Sequence, residues 1–174
     1  MPLASRGVRL IILRHGPAAE RDPARWPDDS KRPLTPEGAV ATRKAAKGLV
    51  RYIGHVDRIV TSDAVRCRVT AEIVRTALEQ PPYLEAWKEL GPGLLAPPIF
   101  ARLARTIRSN QKVLLVGHEP TLAEFLGVAL VGEGTPFVRL GKGAAACVDF
   151  PRGIRPGAGV LRWLATRKQL ARVG

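Results

Sequence analysis

Two of the three histidines in this 174-residue sequence follow apolar runs of the kind that form buried strands. The motif Arg14-His15-Gly16 comes directly after the run at residues 8–13, and Gly117-His118-Glu119-Pro120 comes directly after the run at residues 113–116. Ligand sites in open α/β sheets lie at the carboxyl ends of the strands. We therefore predict that both histidines and Arg14 converge on one crevice, where they suit a phosphoryl group.

The chemistry of that crevice follows from charge. A transferring phosphoryl group carries negative charge on three oxygens, so its site must supply fixed positive groups. Arg14 can offer two parallel donors, and neutral His15 can attack phosphorus with a nitrogen lone pair. His118, held protonated by surrounding anions, would donate to a phosphoryl oxygen. Arg66 is the best candidate for a second arginine, near the amino end of a helix that itself attracts anions.

The charge balance favours anionic partners. The sequence has 28 Lys and Arg against 15 Asp and Glu, a formal net charge of +13. Such a balance is typical of proteins that meet phosphorylated substrates, nucleic acid or acidic protein surfaces. The acid-free segment 151–174 holds six of the cations, which we interpret as a solvated face. The aromatic interleaving of single-strand binders is missing, so the sequence does not favour nucleic acid.

The cysteines and the apolar runs bear on the cellular compartment and on membrane insertion. Cys67 and Cys147 are too few for a disulfide framework and have no metal-ligand neighbours, which fits a reducing cytoplasm. Residues 1–14 lack acids, but their short apolar part is interrupted by Arg9, so we interpret it as a first strand rather than a targeting peptide. No apolar run reaches the roughly 18 residues that span a membrane.

Strand and helix patterns alternate along the chain. They predict one α/β domain over residues 1–174, a three-layer sandwich whose mostly parallel central sheet is flanked by helices, with a frayed tail from about residue 167. Predicted strands cover residues 8–13, 56–61, 83–86, 112–116, 144–150 and 159–166, the last two at a sheet edge. Helices are predicted after Thr35, after Ser62-Asp63, over about 99–108 and over 120–131. The first helix should bury Thr42, Ala46, Leu49 and Ile53, and the second Val65, Val69, Ile73 and Ala77.

Four ordered blocks resemble the histidine phosphatase superfamily, which includes the phosphoglycerate mutases, and in particular its small SixA-like phosphohistidine phosphatase branch. The second block resembles D-x-x-R-x-L-T-x-x-G, and the third resembles S-P-x-x-R-A-x-x-T-A and aligns Arg66, rather than Arg68, with the family's pocket arginine. The blocks are residues 14–18 (RHGPA), 29–38 (DSKRPLTPEG), 62–71 (SDAVRCRVTA) and 117–120 (GHEP).

The resemblance implies a phosphoglycerate mutase-like fold and a phosphatase. His15 would be the nucleophile, forming a phosphohistidine enzyme intermediate that water hydrolyses. Arg14, Gly16, Arg66 and His118 would bind the phosphoryl group, with no metal and no cofactor. Asp63 stands where the family has proline, and its charge would weaken the pull of Arg66 on phosphate.

The general acid stays open at this point. By the resemblance, Glu89 matches the region of the mutase-like acid, and Glu119 matches the acid that follows the second histidine in acid phosphatases. Glu85 is a third candidate, and a phosphoramidate substrate would need no strong acid.

Three functions remain open. The chain could hydrolyse phosphohistidine in a protein, act as a phosphomonoesterase on a small phosphorylated metabolite, or bind phosphate as an inactive scaffold. The modest loop 17–33 favours an open site and a large substrate, and the chain is short for a mutase with capping insertions. We expect Arg32 and Lys142 to be solvated charges, His55 to be exposed and Cys67 to be a packing residue. Oligomeric state is not indicated.

Overall fold

The structure, a computed structural model, describes residues 7–174. The first six residues of the segment weighed above as a targeting peptide lie outside that range. The elements alternate as the sequence predicts, with boundaries shifted by at most three residues and with short 3₁₀ turns at Asp29–Lys31 and Lys88–Leu90. They are β1 (Val8–Arg14), α1 (Pro36–Ile53), β2 (Arg58–Thr61), α2 (Val65–Ala77), β3 (Tyr83–Ala86), α3 (Ala96–Thr106), β4 (Lys112–Gly117), α4 (Thr121–Val131), β5 (Ala145–Phe150), β6 (Val160–Ala165) and α5 (Arg167–Val173).

The six strands form one sheet in the order β3-β2-β4-β1-β5-β6. The pairs β2–β3, β2–β4 and β1–β4 are parallel, and β5 and β6 add two antiparallel pairs at one side. The last strand forms an edge, as predicted. The order places β1 beside β4, although residues 15–111 separate them in the chain. That adjacency brings the two histidine motifs together.

Helices cover both faces of the sheet, which confirms the three-layer α/β fold. Successive residues of a strand point to opposite faces. Leu10 and Ile12 of β1 pack with α3 and α4 on one side, whereas Ile11 and Leu13 pack with α1, α2 and α5 on the other. The central strands are therefore mostly apolar, as is typical of strands buried on both faces.

Helix α1 begins and packs as predicted. The Thr35 side chain accepts a hydrogen bond from Gly38 N at 2.9 Å, and Pro36 occupies the first turn. The predicted face of Thr42, Ala46, Leu49 and Ile53 is buried.

The predicted apolar face of α2 is wrong. Cys67, Ala71 and Val74 are buried against the sheet and α1, whereas Val69 is 38% exposed. Both stripes have helical spacing, so periodicity does not distinguish them. The small side chains of the buried stripe let the helix lie close to the sheet. The cap also differs, because the helix begins after Ala64 and its amino end has no side-chain cap.

The predicted frayed tail is also wrong, because α5 is a capped and packed helix. The Thr166 side chain accepts from Gln169 N, and the Gln169 side chain accepts from Thr166 N, forming a capping box. Leu170 is buried against α1, where Gly48 has no side chain to obstruct its main chain. Across the described residues 7–174, every helix is too short or too polar to cross a membrane.

Candidate active site

The two histidines meet at the carboxyl ends of β1 and β4. Arg14 pairs with Gly117 in the strand register, so each following histidine leaves the sheet at the same level. His15 N donates to Gly117 O at 3.1 Å, and the imidazole centroids of His15 and His118 are 5.2 Å apart. The structure therefore brings together the pair that the sequence predicts to converge.

His15 is held as a neutral base. Its ring is 5% exposed, and Nδ1 lies 2.7 Å from Gly16 O, an acceptor, so Nδ1 carries the proton and Nε2 keeps its lone pair. Burial lowers the pKa of His15 to about 4, and the charges of Arg66, Arg14 and Arg32 act in the same direction. At neutral pH the ring is therefore uncharged, and its Nε2 lone pair is free to act as a nucleophile.

Gly16 fits its position for a steric reason. A Cβ here would collide with Thr42 Oγ1 of α1. Gly16 N donates to Thr70 Oγ1 of α2 at 3.0 Å, and Thr70 Oγ1 in turn donates to Arg66 O. The loop after β1 is thereby tied to the helix that carries the second arginine.

His118 is neutral in the free protein, so the expectation that surrounding anions keep it protonated is wrong. Burial lowers its pKa to about 3, helped by the charges of Arg66 and His15. Its Nε2 lies 2.9 Å from Ser62 Oγ, which also accepts from Ala64 N at 3.3 Å. The Ser62 hydroxyl can therefore donate to Nε2, which leaves the ring proton on Nδ1. The sequence patterns did not predict that Ser62 contacts a site histidine, although Ser62 is the first residue of the third block, 62–71.

Arg14 and Arg66 line one cavity of about 620 Å³ together with both histidines. Arg14 NH1 donates to Leu140 O at 2.7 Å, and Arg66 donates to both the main-chain and the side-chain oxygens of Asp29. The Nε atom of each arginine is buried with no hydrogen-bond partner among the described residues. A buried donor without a partner costs about 1–3 kcal/mol. The two guanidinium groups give the cavity the positive charge that a phosphoryl group requires.

Asp29 and Arg32 belong to this cavity, and sequence reasoning missed the first and misjudged the second. Asp29 Oδ2 accepts from Arg66 at 2.9 Å and Oδ1 accepts from Arg32 Nε at 2.8 Å. The Arg32 side chain is 12% exposed, so the expectation of a solvated charge is wrong. The four-residue segment 29–32 was a usable signal, because residues three apart face each other in a helical turn.

Asp63 does not act on Arg66 as expected. Its carboxylate pairs with Arg68 at 3.1 Å on the exposed side of α2. The carboxylate that reduces the charge of Arg66 is Asp29, and hydrogen bonding from Arg32 followed by the charge of Arg66 lowers the pKa of Asp29. The negative charge that opposes anion binding beside Arg66 is therefore Asp29, in the loop before α1, rather than Asp63 at the start of α2.

The structure places the three candidate acids differently. Glu89 is bound by Arg102 NH1 at 2.9 and 3.1 Å, and Glu85 pairs with Arg58 at 3.3 Å, both away from the cavity. Glu119 lines the cavity, and its Oε1 accepts from Leu140 N at 2.8 Å.

The remaining candidates stand as follows. Lys142 is exposed at the cavity rim, and His55 is exposed outside it. Cys67 is a buried packing residue, as predicted, and burial raises the pKa of its thiol to about 12. Within residues 7–174 no group of three or more His, Cys, Asp or Glu side chains is placed to hold a metal ion.

A neutral histidine that shares a cavity with the buried Arg66 and the partly buried Arg14, at the carboxyl end of a covered α/β sheet, has the composition of a phosphoryl-transfer site. The sequence model of the histidine phosphatase superfamily (branch 1) matches residues 10–106, and the chain belongs to that superfamily.

The similarity to known proteins extends over most of the chain. An uncharacterized protein of Picosynechococcus is 33% identical over 152 residues, 87% of each chain. The phosphohistidine phosphatase SixA of Escherichia coli is 29% identical over 160 residues, 90% of this chain and 92% of that one. A structure of the protein histidine phosphatase SixA with tungstate has a TM-score of 0.77 and 27% identity, covering 93% and 99% of the two chains. The chain is thus a phosphatase of the SixA-like kind.

Proposed function

We propose that this phosphatase hydrolyses phosphohistidine in a protein, through a phosphohistidine intermediate on His15. The observation that carries the proposal is the convergence of Arg14, Arg66 and the neutral His15 ring on one cavity. Similarity to SixA over about nine tenths of the chain supports a phosphohistidine substrate. The open, basic cavity supports a protein as its carrier.

In the first step His15 Nε2 attacks phosphorus in line with the substrate nitrogen. A new P–N bond forms to His15 while the P–N bond to the substrate breaks, and its electron pair returns to the substrate nitrogen. A substrate ring protonated on its other nitrogen leaves as neutral imidazole, so this step needs no general acid. Arg14 and Arg66 bind the phosphoryl oxygens, whose charge they stabilise most strongly in the transition state.

In the second step water attacks the phosphorus of phospho-His15. The P–N bond breaks, its electron pair returns to Nε2, and phosphate leaves with the oxygen and the two protons of the water. His118 would contact the phosphoryl group as a neutral ring with its proton on Nδ1. Arg14 and Arg66 supply the positive charge around the phosphoryl oxygens, and we propose that no metal and no cofactor is required.

A small phosphorylated metabolite is the alternative substrate. A cavity of about 620 Å³ has room for one, and mycobacterial glucosyl-3-phosphoglycerate phosphatase shares the fold at a TM-score of 0.65 and 17% identity. That similarity concerns the fold alone. A cytoplasmic location stays a prediction from the two unpaired cysteines.

The test measures phosphate release from a histidine peptide phosphorylated with phosphoramidate and from para-nitrophenyl phosphate, with and without chelator. We expect wild type to be indifferent to chelator, to prefer the peptide, and to form an acid-labile, base-stable phosphoenzyme. His15→Ala should lose both turnover and the phosphoenzyme. His55→Ala, which removes the exposed third histidine, is the matched control and should behave as wild type.

Other results have distinct meanings. Turnover that survives His15→Ala contradicts the mechanism. A preference for para-nitrophenyl phosphate or sugar phosphates by wild type selects the small-molecule alternative. Phosphate binding without any turnover would indicate an inactive scaffold.

A further inference from the structure

A second cavity of about 580 Å³ adjoins the catalytic one. The two share Arg14, Glu119 and Pro120 as lining residues. The second cavity continues over Ala123 of α4 to the segment 136–139, which we call the rim segment. A group attached to a phosphoryl in the catalytic cavity can therefore extend directly along this groove.

The rim segment alternates between packing and exposure. Val138 packs on the core, and the following Leu140 is fully buried. Phe137 is 55% exposed, and Arg139 is exposed beside it. The segment thus presents one aromatic ring and one cation to the groove, with its inward side chains holding it against α4.

The groove is fixed relative to the phosphoryl pocket through the main chain of one residue, Leu140. Leu140 N donates to Glu119 Oε1 at 2.8 Å, and Leu140 O accepts from Arg14 NH1 at 2.7 Å. Arg14 therefore contacts the residue that follows the rim segment, and its side chain also lines the catalytic cavity. This connection makes the groove an extension of the active site.

The chemistry of the groove indicates what it binds. Its apolar part is formed by the exposed side chains of Pro136 and Phe137 beside the buried Ala123. Arg139 makes no ion pair with any residue in the described range 7–174, and its charge lies close enough to act on Arg14. An apolar surface next to an unpaired cation complements an extended polypeptide that carries an apolar and an acidic side chain.

We propose that this groove binds the residues flanking the phosphorylated histidine of the substrate protein, with an apolar side chain on Phe137 and an acidic side chain at Arg139. The inference rests on the proposed function and names the part of the substrate that the pocket arginines do not bind. The groove then determines which phosphohistidine proteins are dephosphorylated, while the catalytic cavity determines the reaction.

Three probes separate the two cavities. N-phosphoimidazole supplies the phosphoramidate with no polypeptide. An acidic peptide places Leu and Glu on both sides of a phosphorylated histidine, and a basic peptide replaces each Glu with Lys. For wild type we expect kcat/KM on the acidic peptide to exceed that on N-phosphoimidazole, and that on the basic peptide, by about tenfold, mainly through KM.

Variants of the rim segment test the contacts. Phe137→Ser and Arg139→Glu should each lower kcat/KM on the acidic peptide by about tenfold and change N-phosphoimidazole hydrolysis by less than about threefold. Arg139→Glu should reverse the preference and favour the basic peptide. The matched controls are Tyr83→Ser and Arg172→Glu, which alter an exposed aromatic and an exposed cation away from the groove. They should leave the ratios of kcat/KM among the three probes unchanged.

The outcomes distinguish this inference from the proposed function. If wild type and variants hydrolyse all three probes with similar kcat/KM, the groove does not bind the flanking residues and the proposed function stands. If the rim variants lower kcat/KM on all three probes equally, the segment supports the fold and the docking inference is overturned. If wild type hydrolyses none of the phosphoramidates but still hydrolyses para-nitrophenyl phosphate through His15, both proposals fail.

Discussion

The two arginines of the catalytic cavity are held in different ways. Arg14, at the end of β1, is held by the main-chain oxygen of Leu140, and its Nε is left without a partner. Arg66, in α2, is held by the carboxylate and the main-chain oxygen of Asp29, which a second arginine, Arg32, also binds. Arg14 is thus positioned by an uncharged main-chain oxygen, which we call the neutral holder. Arg66 is positioned by the Asp29 carboxylate, which we call the charged holder.

The difference has an electrostatic consequence. A carbonyl positions a guanidinium without cancelling its charge, whereas a carboxylate positions it and reduces the field that an anion experiences. Arg66 is 2% exposed, and a buried guanidinium without a counter-charge would pay a large desolvation cost. The charged holder therefore fits the more buried arginine, and we expect it to moderate how tightly the product phosphate binds.

The largest expected effect comes from removing each arginine in turn. Arg14→Ala should lower kcat/KM by about 100-fold, the usual loss for one donor to a transition-state oxygen. Arg66→Ala should lower it by about 1,000-fold, because it removes a donor and leaves Asp29 as an uncompensated negative charge beside the substrate. Steady-state kinetics on the phosphohistidine peptide and thermal unfolding of each variant would measure both.

The double variant Arg66→Ala/Asp29→Asn sharpens that test. If the carboxylate is responsible for the extra loss, the double variant should recover about tenfold over Arg66→Ala and resemble Arg14→Ala. Arg68→Ala is the matched control, since Arg68 lies on the exposed side of α2 and pairs with Asp63. Equal losses for the two single arginine variants would show that the two holders are equivalent.

Sequence patterns predicted the strands and the meeting of His15 with His118, because both depend on local signals. Apolar runs mark buried strands, and a single residue separates the end of each run from its histidine. Which stripe of α2 faces the sheet could not be predicted, since the Val65 and Cys67 stripes share the same spacing. The partner of Arg66 also could not be predicted, because Asp29 is 37 residues away and reaches it through tertiary packing.

The pKa of His15 responds to the charges of both Arg14 and Arg66. Burial lowers the pKa of His15 to about 4, and the charge of Arg66 lowers it more than the charge of Arg14 does. We expect kcat/KM to keep its full value down to about pH 5, whereas a histidine with the ordinary pKa of about 6.5 would have lost about tenfold at pH 5.5. NMR titration of the ring should show a pKa that rises more in Arg66→Ala than in Arg14→Ala. The reverse order would mean that Asp29 cancels the charge of Arg66 at His15.

The same pKa shift has a consequence for stability. The folded pKa of His15 lies below the unfolded value, so the unfolded chain takes up its proton first as the pH falls. The free energy of unfolding should therefore decrease between about pH 6.5 and pH 4 in wild type. The decrease should be smaller in His15→Ala, as urea titrations at several pH values would show. An unchanged slope in that variant would contradict a buried neutral ring.

Removing the charged holder alone should have a moderate effect. Asp29→Asn keeps an oxygen acceptor for Arg66 but removes a negative charge from the cavity. We expect inorganic phosphate to inhibit about tenfold more strongly, because one repulsive charge is lost near the anion. Measuring the inhibition constant of phosphate, with the exposed Asp63→Asn as control, tests this directly. Weaker inhibition in Asp29→Asn would show that the carboxylate mainly positions Arg66 and Arg32 for binding.

The smallest expected effect concerns the neutral holder and decides the role of Glu119. Its Oε1 accepts from Leu140 N, and the main-chain oxygen of the same residue accepts from Arg14. If Glu119 is a positioning residue, Glu119→Gln should change kcat by less than about threefold, because Gln keeps an acceptor for that N–H. Glu119→Ala should lower kcat by about tenfold.

A general acid at Glu119 would give a different pattern. Gln cannot supply a proton, so both variants would then lower kcat by about 100-fold. Comparing the two variants on phenyl phosphate, whose leaving group needs a proton, and on the phosphohistidine peptide would separate the two roles, since a positioning residue affects both substrates alike.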